Sequence, residues 1–395
     1  MQKILLFIAS LFYFNFLFSK NEIKSWQGIH ETPLSRLEQQ FAEPPVEFAN
    51  HVIWGWEGKM DKKTICNDLD SIKKKGFRAV IFEAGYKLPF KYLSEEWFKA
   101  IRTGVVEAKK RDMKVWIIDE GKYPSGFAGG KFSQERPDLR MQALVIGDTI
   151  QIKRGEVMTN HKIAPEIISA VAVSTSGAPN RTVEINNGKI SFNAGLDDWK
   201  ILLVKSDFRT AVTRAVNNPN GGKDATNSLC DYLNPVAVQQ FIDWTHKQYK
   251  KYLGKELGTT VLGFRGDEPD YAHLPWTPSI VQTFKDTKGY DPTPYLASFF
   301  TASPTIQEQR VKADYWDVWS SLFATHFFKL QADWCAANGV AHITHLNKEH
   351  EMPACVKAEG DYFRALSKVQ IPGVDAIWNQ IWPLSLIHIS EPTRP

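Results

Sequence analysis

The sequence predicts an α/β fold: a (β/α)8 barrel of the TIM type, truncated after about six strands and interrupted by a small inserted β domain. Three observations predict it. Short apolar runs alternate with amphipathic helical stretches at the spacing of βαβ units. A Val-, Ile-, Thr-, Asn- and Gly-rich stretch with hairpin-type turns separates the third strand from the fourth. Carboxylates, amides and aromatic rings recur directly after the strands, where barrels carry their active-site groups. An open doubly wound sheet is the alternative, and it lacks support because no G-x-G-x-x-G turn follows the first strand.

His51-Val-Ile-Trp-Gly-Trp56 opens the barrel as a short buried strand. Asp61 to Lys75 follows as an amphipathic helix with Ile65, Leu69 and Ile72 on one face, and Gly76 ends it. Arg78-Ala-Val-Ile-Phe-Glu83 is the second strand. Ser94 caps the next helix, with Glu95 and Glu96 in the first turn where negative charge is favoured. That helix runs to Arg111, and Lys114-Val-Trp-Ile-Ile-Asp119 is the third strand. Residues 142–231 read as the inserted antiparallel segment, with Asn186-Asn187-Gly188 as one of its turns. A helix then runs from Asp231 to Leu257, and Thr259 to Phe264 is the fourth strand. A long helix from Ile306 to Asn338 precedes the fifth strand, Ala341 to His345, and Val374 to Trp378 is the sixth.

The two ends fall outside this pattern. Met1-Gln2-Lys3, an apolar run from Ile4 to Phe18 and Ser19-Lys20 have the layout of a secretory signal peptide. The run is short for a bilayer span, which needs about 20 apolar residues, and no other stretch is long and apolar enough. Residues 384–395 resemble a translated sequencing adapter and are set aside. The expected organisation is a signal peptide at 1–19, an arm at 20–48, barrel at 49–141, the β-rich insert at 142–231, barrel again at 232–383, and the adapter-like tail. Export to the periplasm or the medium follows from the leader. A chain cut off in this way is expected to be inactive and poorly soluble, because open strand edges and apolar faces stay exposed.

Composition excludes several classes. The hydrophobic fraction is 43% and the charged fraction 23%, ordinary for a globular protein. Net charge is +4 with acids and bases interleaved, so no basic block points to nucleic acid. The 13 Trp and 24 Phe suit either sugar stacking or a large core. Cys66, Cys230, Cys335 and Cys355 form no C-x-x-C pair, so zinc has no sequence signature; they read as free buried thiols.

The strand ends bring forward Trp56, Glu83, Asp119, Glu120, Asp267, Glu268, His345, Asn347, Asp375, Trp378 and Asn379. Carboxylates and amides hydrogen-bond hydroxyls, rings stack on sugar faces, and paired carboxyls cleave glycosides. Gly266-Asp267-Glu268-Pro269 is the sharpest site. A carboxyl held partly desolvated on that turn gains the raised pKa of a general acid; an ordinary acidic turn is the structural alternative. Asp119-Glu120-Gly-Lys-Tyr-Pro-Ser125-Gly126 reads as a substrate-binding loop or as oxygen ligands to a cation, with a capped helix start as the structural alternative. The loop from His345 through Asn347 and Glu351 to Glu359 offers further hydroxyl partners. His345 and His350 lack H-E-x-x-H spacing, and His246 and His326 read as structural.

These segments also carry a resemblance. Trp116 to Gly130, Trp54-Gly-Trp56, Phe264-Arg-Gly-Asp-Glu-Pro269, Glu359-Gly-Asp-Tyr-Phe363 and Ile371 to Asn379 are similar, in order, to blocks of glycoside hydrolase family 106, the α-L-rhamnosidase-like enzymes. The resemblance implies a barrel with attached β domains, an inverting mechanism using two glutamates, an oligo- or polysaccharide substrate, and associated calcium. It implies Glu268 as the general acid. The second carboxylate is Glu359, with Glu351 the poorer candidate, or it lies on a later strand beyond Pro383. A carbohydrate-binding relative without catalysis is the alternative reading. A metal-dependent hydrolase would need a His-rich cluster at the strand ends, which the sequence lacks.

Overall fold

The computed structural model describes residues 34–42, 50–214, 223–224, 226–271 and 274–375. The apolar leader, residues 384–395, Trp378 and Asn379 lie outside the described residues. In chain order, α1 (Leu34–Ala42) precedes β1 (His51–Trp56), α2 (Lys62–Lys74), β2 (Ala79–Ala84), α3 (Glu95–Lys110) and β3 (Lys114–Ile118). Short α4 (Lys131–Glu135) leads into β4 (Gln142–Ile152), β5 (Val157–Lys162), β6 (Ile167–Ser174), β7 (Arg181–Thr182), β8 (Lys189–Asn193) and β9 (Trp199–Phe208), then the ribbon β10 (Thr213–Arg214) and β11 (Lys223–Asp224). Next come α5 (Pro235–Trp244), α6 (His246–Leu253), β12 (Val261–Asp267), β13 (Pro275–Trp276), α7 (Ile280–Lys288), α8 (Ile306–Leu322) and α9 (Lys329–Ala337). The described chain closes with β14 (Ala341–His345), α10 (Met352–Glu359), α11 (Tyr362–Leu366) and β15 (Ile371–Pro372).

The fold is mixed α/β. Six strands pair in the order β1-β2-β3-β12-β14-β15, every neighbour parallel. Local chemistry starts the helices that cross between them. Asp61 caps α2 by accepting from Thr64 N at 2.9 Å, and Ser94 caps α3 by accepting from Trp97 N at 3.3 Å, each satisfying an amide the helix leaves unpaired. Lysines occupy the last turns of both helices, where they meet the negative end of the helix dipole.

Strand alternation sorts the two faces of this sheet. Trp56, Val80, Phe82, Val115, Ile117 and Phe264 pack outward under the helices with Ile65, Leu69, Trp97, Ile101 and Tyr249. Ile81, Trp116 and Ile118 gather on the other face with Leu262, Ile343 and Ile371. Trp56 is therefore a correction to the sequence reading. Its ring is fully buried against Phe82 and Trp97, with centroids 4.9 and 5.7 Å away, and it faces the helices instead of the mouth.

The antiparallel sheet runs β13-β4-β9-β6-β7, with β5 and β8 as a separate pair. One side of it has its own core around Trp199, Phe192, Ile190 and Ile201. The other side contributes Leu144, Val171, Leu202 and Val204 to a large core shared with α5, α8 and the segment 323–328. Two further expectations are corrected. The long helix from Ile306 is interrupted by a π-helical turn at Phe323–Phe328, where Phe323, Phe327 and Phe328 are all buried. The sixth strand of the sheet is Ile371–Pro372, paired to Ile343 and Thr344; Val374 and Asp375 of the expected strand lie past it, and residues 376–378 lie outside the described residues. Gly373 N donates to Thr344 O at 2.7 Å, which ends the ladder and leaves Asp375 in a loop. All four cysteines are free thiols.

Candidate functional site

The carboxyl ends of β3, β12 and β14 build one acid-rich mouth. Arg265 and Asp267 share a face of β12 by period-two alternation. Arg265 Nη1 lies 3.1 Å from Asp267 Oδ1, and Nη2 lies 3.4 Å from His345 Nδ1. A guanidinium has only donors, so His345 Nδ1 is the acceptor and its proton sits on Nε2. That nitrogen faces three carboxylates: Asp267 Oδ1 at 3.6 Å, Glu268 Oε1 at 3.7 Å and Asp375 Oδ2 at 3.8 Å. Glu268 follows the last residue of β12 with φ +38°, a left-handed conformation uncommon for a non-glycine residue. Residues held in such conformations concentrate at functional sites. Gly266 is required beside it: a Cβ there would lie 2.9 Å from Thr344 Oγ1 and 3.4 Å from Asp119 Oδ2.

The loop after β3 is tied to this strand end. Ser125 Oγ donates to Asp119 Oδ1 at 2.7 Å and accepts from Asp267 N at 2.6 Å; Ser125 N donates to Asp267 O at 2.9 Å. Both Asp119 and Ser125 are fully buried, and burial lifts the Asp119 carboxyl well above its usual range. Glu120 turns back into its own loop. It accepts from Gly121 N at 2.5 Å, Gly129 N at 3.0 Å and Ala128 N, so it pins the loop instead of reaching substrate. Gly126 has φ +93°, and a Cβ there would stand 2.4 Å from the Tyr232 ring, a position that only glycine fills.

Further round the mouth, Asn347 Nδ2 donates to Asp270 Oδ2 at 3.0 Å and contacts Tyr123 Oη at 3.3 Å. Its backbone N donates to Glu359 Oε1 at 3.0 Å. Glu359 is 1% exposed, and its Oε2 has no hydrogen-bond partner among the described residues. Burial, followed by the charge of Asp270, holds its proton well above the usual carboxylate range. Burial and the charges of Glu268, Asp270, Glu359 and Asp267 likewise raise the Tyr123 phenol. Glu349 accepts from Asp375 N and from Tyr362 Oη at 3.4 Å, and burial pushes its carboxyl up.

The structure thus gathers Asp119, Ser125, Asp267, Glu268, His345, Asn347, Glu359 and Asp375. Glu83 is tied to Lys122 at 3.0 Å. Glu351 is exposed at the start of α10, and the neighbouring Glu349 makes the inward contacts in its place. Arg265, Tyr123, Asp270 and Glu349 were missed as site residues. Alternation from Asp267 points to Arg265; Tyr123 and Glu349 lie inside loops the sequence marked, and Asp270 directly follows Pro269, but no local signal separates these three from their neighbours. Glu268, His345 and Asp375 offer ligand atoms within 4.8 Å of one another. Two carboxylates and an imidazole are a poor set for calcium, which takes 6–8 oxygens.

A mixed α/β frame with a dense carboxyl cluster at its strand ends suits acid–base chemistry, glycoside cleavage included. The profile of glycoside hydrolase family 106, described as alpha-L-rhamnosidase, matches residues 159–382. That is more than half of the chain, and the chain belongs to this family. A Formosa agariphila protein named "Putative beta-glucuronidase" is 23% identical over 360 residues, covering 78% of this chain and 30% of the relative. The solved rhamnosidase from Novosphingobium sp. PP1Y superposes with a TM-score of 0.61 at 14% identity, over 86% of this chain and 49% of that one. That likeness shows the fold alone. The chain spans about a third of the curated relative and half of the solved one.

Proposed function

We propose that the whole protein is an exported inverting glycosidase that removes α-L-rhamnosyl or similar neutral sugars from oligo- or polysaccharides. In this reading the six parallel strands are the larger part of a (β/α)8 barrel. The observation that carries it is the nearness of Glu268 and Glu359 at one mouth: the charge of Glu268 acts on the Glu359 carboxyl, Glu359 is bonded by Asn347, which also bonds Asp270, and Glu268 faces His345. Glycoside cleavage passes through a transition state with positive charge on the sugar ring. Carboxyl oxygens gathered at this mouth can stabilise that charge. They also disfavour a uronate, because the Arg265 guanidinium is already engaged by Asp267 and His345.

In this reading Glu268, partly open to solvent, protonates the leaving oxygen as general acid. Glu359 is the second carboxyl, acting on water from the opposite face. One observation favours the reverse assignment: burial raises the Glu359 carboxyl, the environment of an acid. Leaving-group dependence separates the two. Loss of the acid harms alkyl glycosides far more than activated aryl glycosides, whereas loss of the base harms both. The full-length protein is therefore assayed on a nitrophenyl and a methyl α-L-rhamnoside. Glu268→Gln should lose the methyl substrate by about 10²–10⁴-fold and keep much of the nitrophenyl activity. Full activity of both Glu268→Gln and Glu359→Gln on both substrates would remove the proposal. Calcium, implied by the family resemblance, would need oxygens beyond the described group; chelation followed by calcium add-back tests it.

A further inference from the structure

On the opposite side of the sheet from the mouth, under the helices, three metal-ligating side chains meet that the glycosidase reading does not use. His246 opens α6, Cys335 lies on α9, and His342 lies on β14. They are 0%, 0% and 1% exposed, and one ligand atom from each lies within 4.8 Å of the other two. Aromatic rings wall the group: Phe264 stands 4.2 Å and Trp334 5.3 Å from the His246 ring.

The hydrogen bonding around His246 fixes where its lone pair points. Thr245 Oγ1 donates its proton to Phe241 O at 2.7 Å. The same oxygen lies 2.9 Å from His246 Nδ1, so Nδ1 carries the proton and donates to it. Nε2 is then an unprotonated lone pair, and it has no hydrogen-bond partner among the described residues. Neither ring nitrogen of His342, one N–H and one lone pair in the neutral ring, has a hydrogen-bond partner among the described residues. Buried polar atoms without partners cost about 1–3 kcal/mol each, and a pocket with three of them is a poor apolar core. It is a good ligand set. A metal-bound histidine characteristically donates its other ring N–H to an oxygen, which fixes tautomer and direction, and His246 already does so.

We propose that His246, Cys335 and His342 bind a structural zinc ion. Zinc takes nitrogen and sulfur ligands at about 2.0–2.3 Å in tetrahedral geometry, which ligand atoms less than 4.8 Å apart can reach by small rotamer changes. On binding, the Cys335 thiol loses its proton to solvent and the thiolate bonds the metal, leaving a single positive charge; a neutral water completes the coordination. The ion clamps α6 and α9 to β14, and so fixes the strand whose last residue, His345, faces Glu268.

The test uses the purified protein, produced with zinc in the medium and dialysed against a weak chelator. Elemental analysis should give about one zinc per chain, and X-ray absorption at the zinc edge should show one sulfur neighbour. Cobalt exchange should produce a thiolate-to-cobalt charge-transfer band that disappears in Cys335→Ser and in His342→Phe. Absence of bound metal, stoichiometric copper in place of zinc, or a zinc shell of oxygen alone overturns the assignment. So does a band that persists in Cys335→Ser. The absorption measurement needs no variant, so a variant that fails to fold leaves the test intact. Glycosidase activity is not a readout here, so the two proposals fail independently.

Discussion

Replacing Glu120 by alanine tests whether the loop carrying Tyr123 and Ser125 is held from inside. The Glu120 carboxyl accepts from three main-chain amides, of Gly121, Ala128 and Gly129, and is itself 1% exposed. Each amide left without a partner costs about 1–3 kcal/mol. Water entering the small space vacated recovers part of this, so the expected loss is about 3 kcal/mol, a large share of a typical domain stability of roughly 5–15 kcal/mol. Burial lifts this carboxyl from 4.5 to about 7. A raised carboxyl makes the folded state bind its proton more tightly than the unfolded chain, so its contribution is full below 4.5 and is lost as pH rises through about 7. Over that window wild-type stability should fall by about 3 kcal/mol from this group, and the alanine variant should show a flatter profile. Urea unfolding followed by tryptophan fluorescence at pH 5 and pH 8 reads both effects. A midpoint within about 0.5 kcal/mol of wild type at both values would refute the clamp.

Trp56→Ala should destabilise the protein by about 3–5 kcal/mol, read by thermal unfolding, and leave the KM for a rhamnoside unchanged in whatever fraction folds. A raised KM would mean that the ring reaches the mouth after all. Gly266→Ala should reduce kcat by more than tenfold, with stability lowered by about 1–3 kcal/mol, because its methyl group meets Thr344 and Asp119. Equal activity would show that this turn tolerates a side chain. Asn347→Ala removes the amide bridging Tyr123 and Asp270 and should lower kcat/KM while the unfolding midpoint shifts by less than about 2 kcal/mol. Steady-state kinetics beside a melt separates the two effects.

How much of this was legible in the sequence depends on the range of the forces involved. Helix starts at Asp61 and Ser94 were readable because a cap acts within three residues of itself. The parallel strands were readable as apolar runs between helical stretches, and β1 and β14 fall where they were expected. The boundary at β15 was not, because it is set by pairing to Ile343 and Thr344 and by a turn at Gly373. The break inside the long helix was equally hidden, since Phe323, Phe327 and Phe328 fit a regular helix as well as the wider turn in which they join the large core.

By itself the sequence determined which strand ends carry acids and amides, and the motifs that mark the family. Tertiary structure alone decided the direction of each side chain. Trp56 went to the helices, Glu120 into its own loop, and Glu349 instead of Glu351 to the mouth. His246, Cys335 and His342, far apart along the chain, came together under the sheet. Composition and spacing record what a residue offers over a few neighbours. Which of two adjacent carboxyls meets an amide, a cation or an open mouth is fixed by strand pleat and by contacts across the fold, which no local pattern encodes.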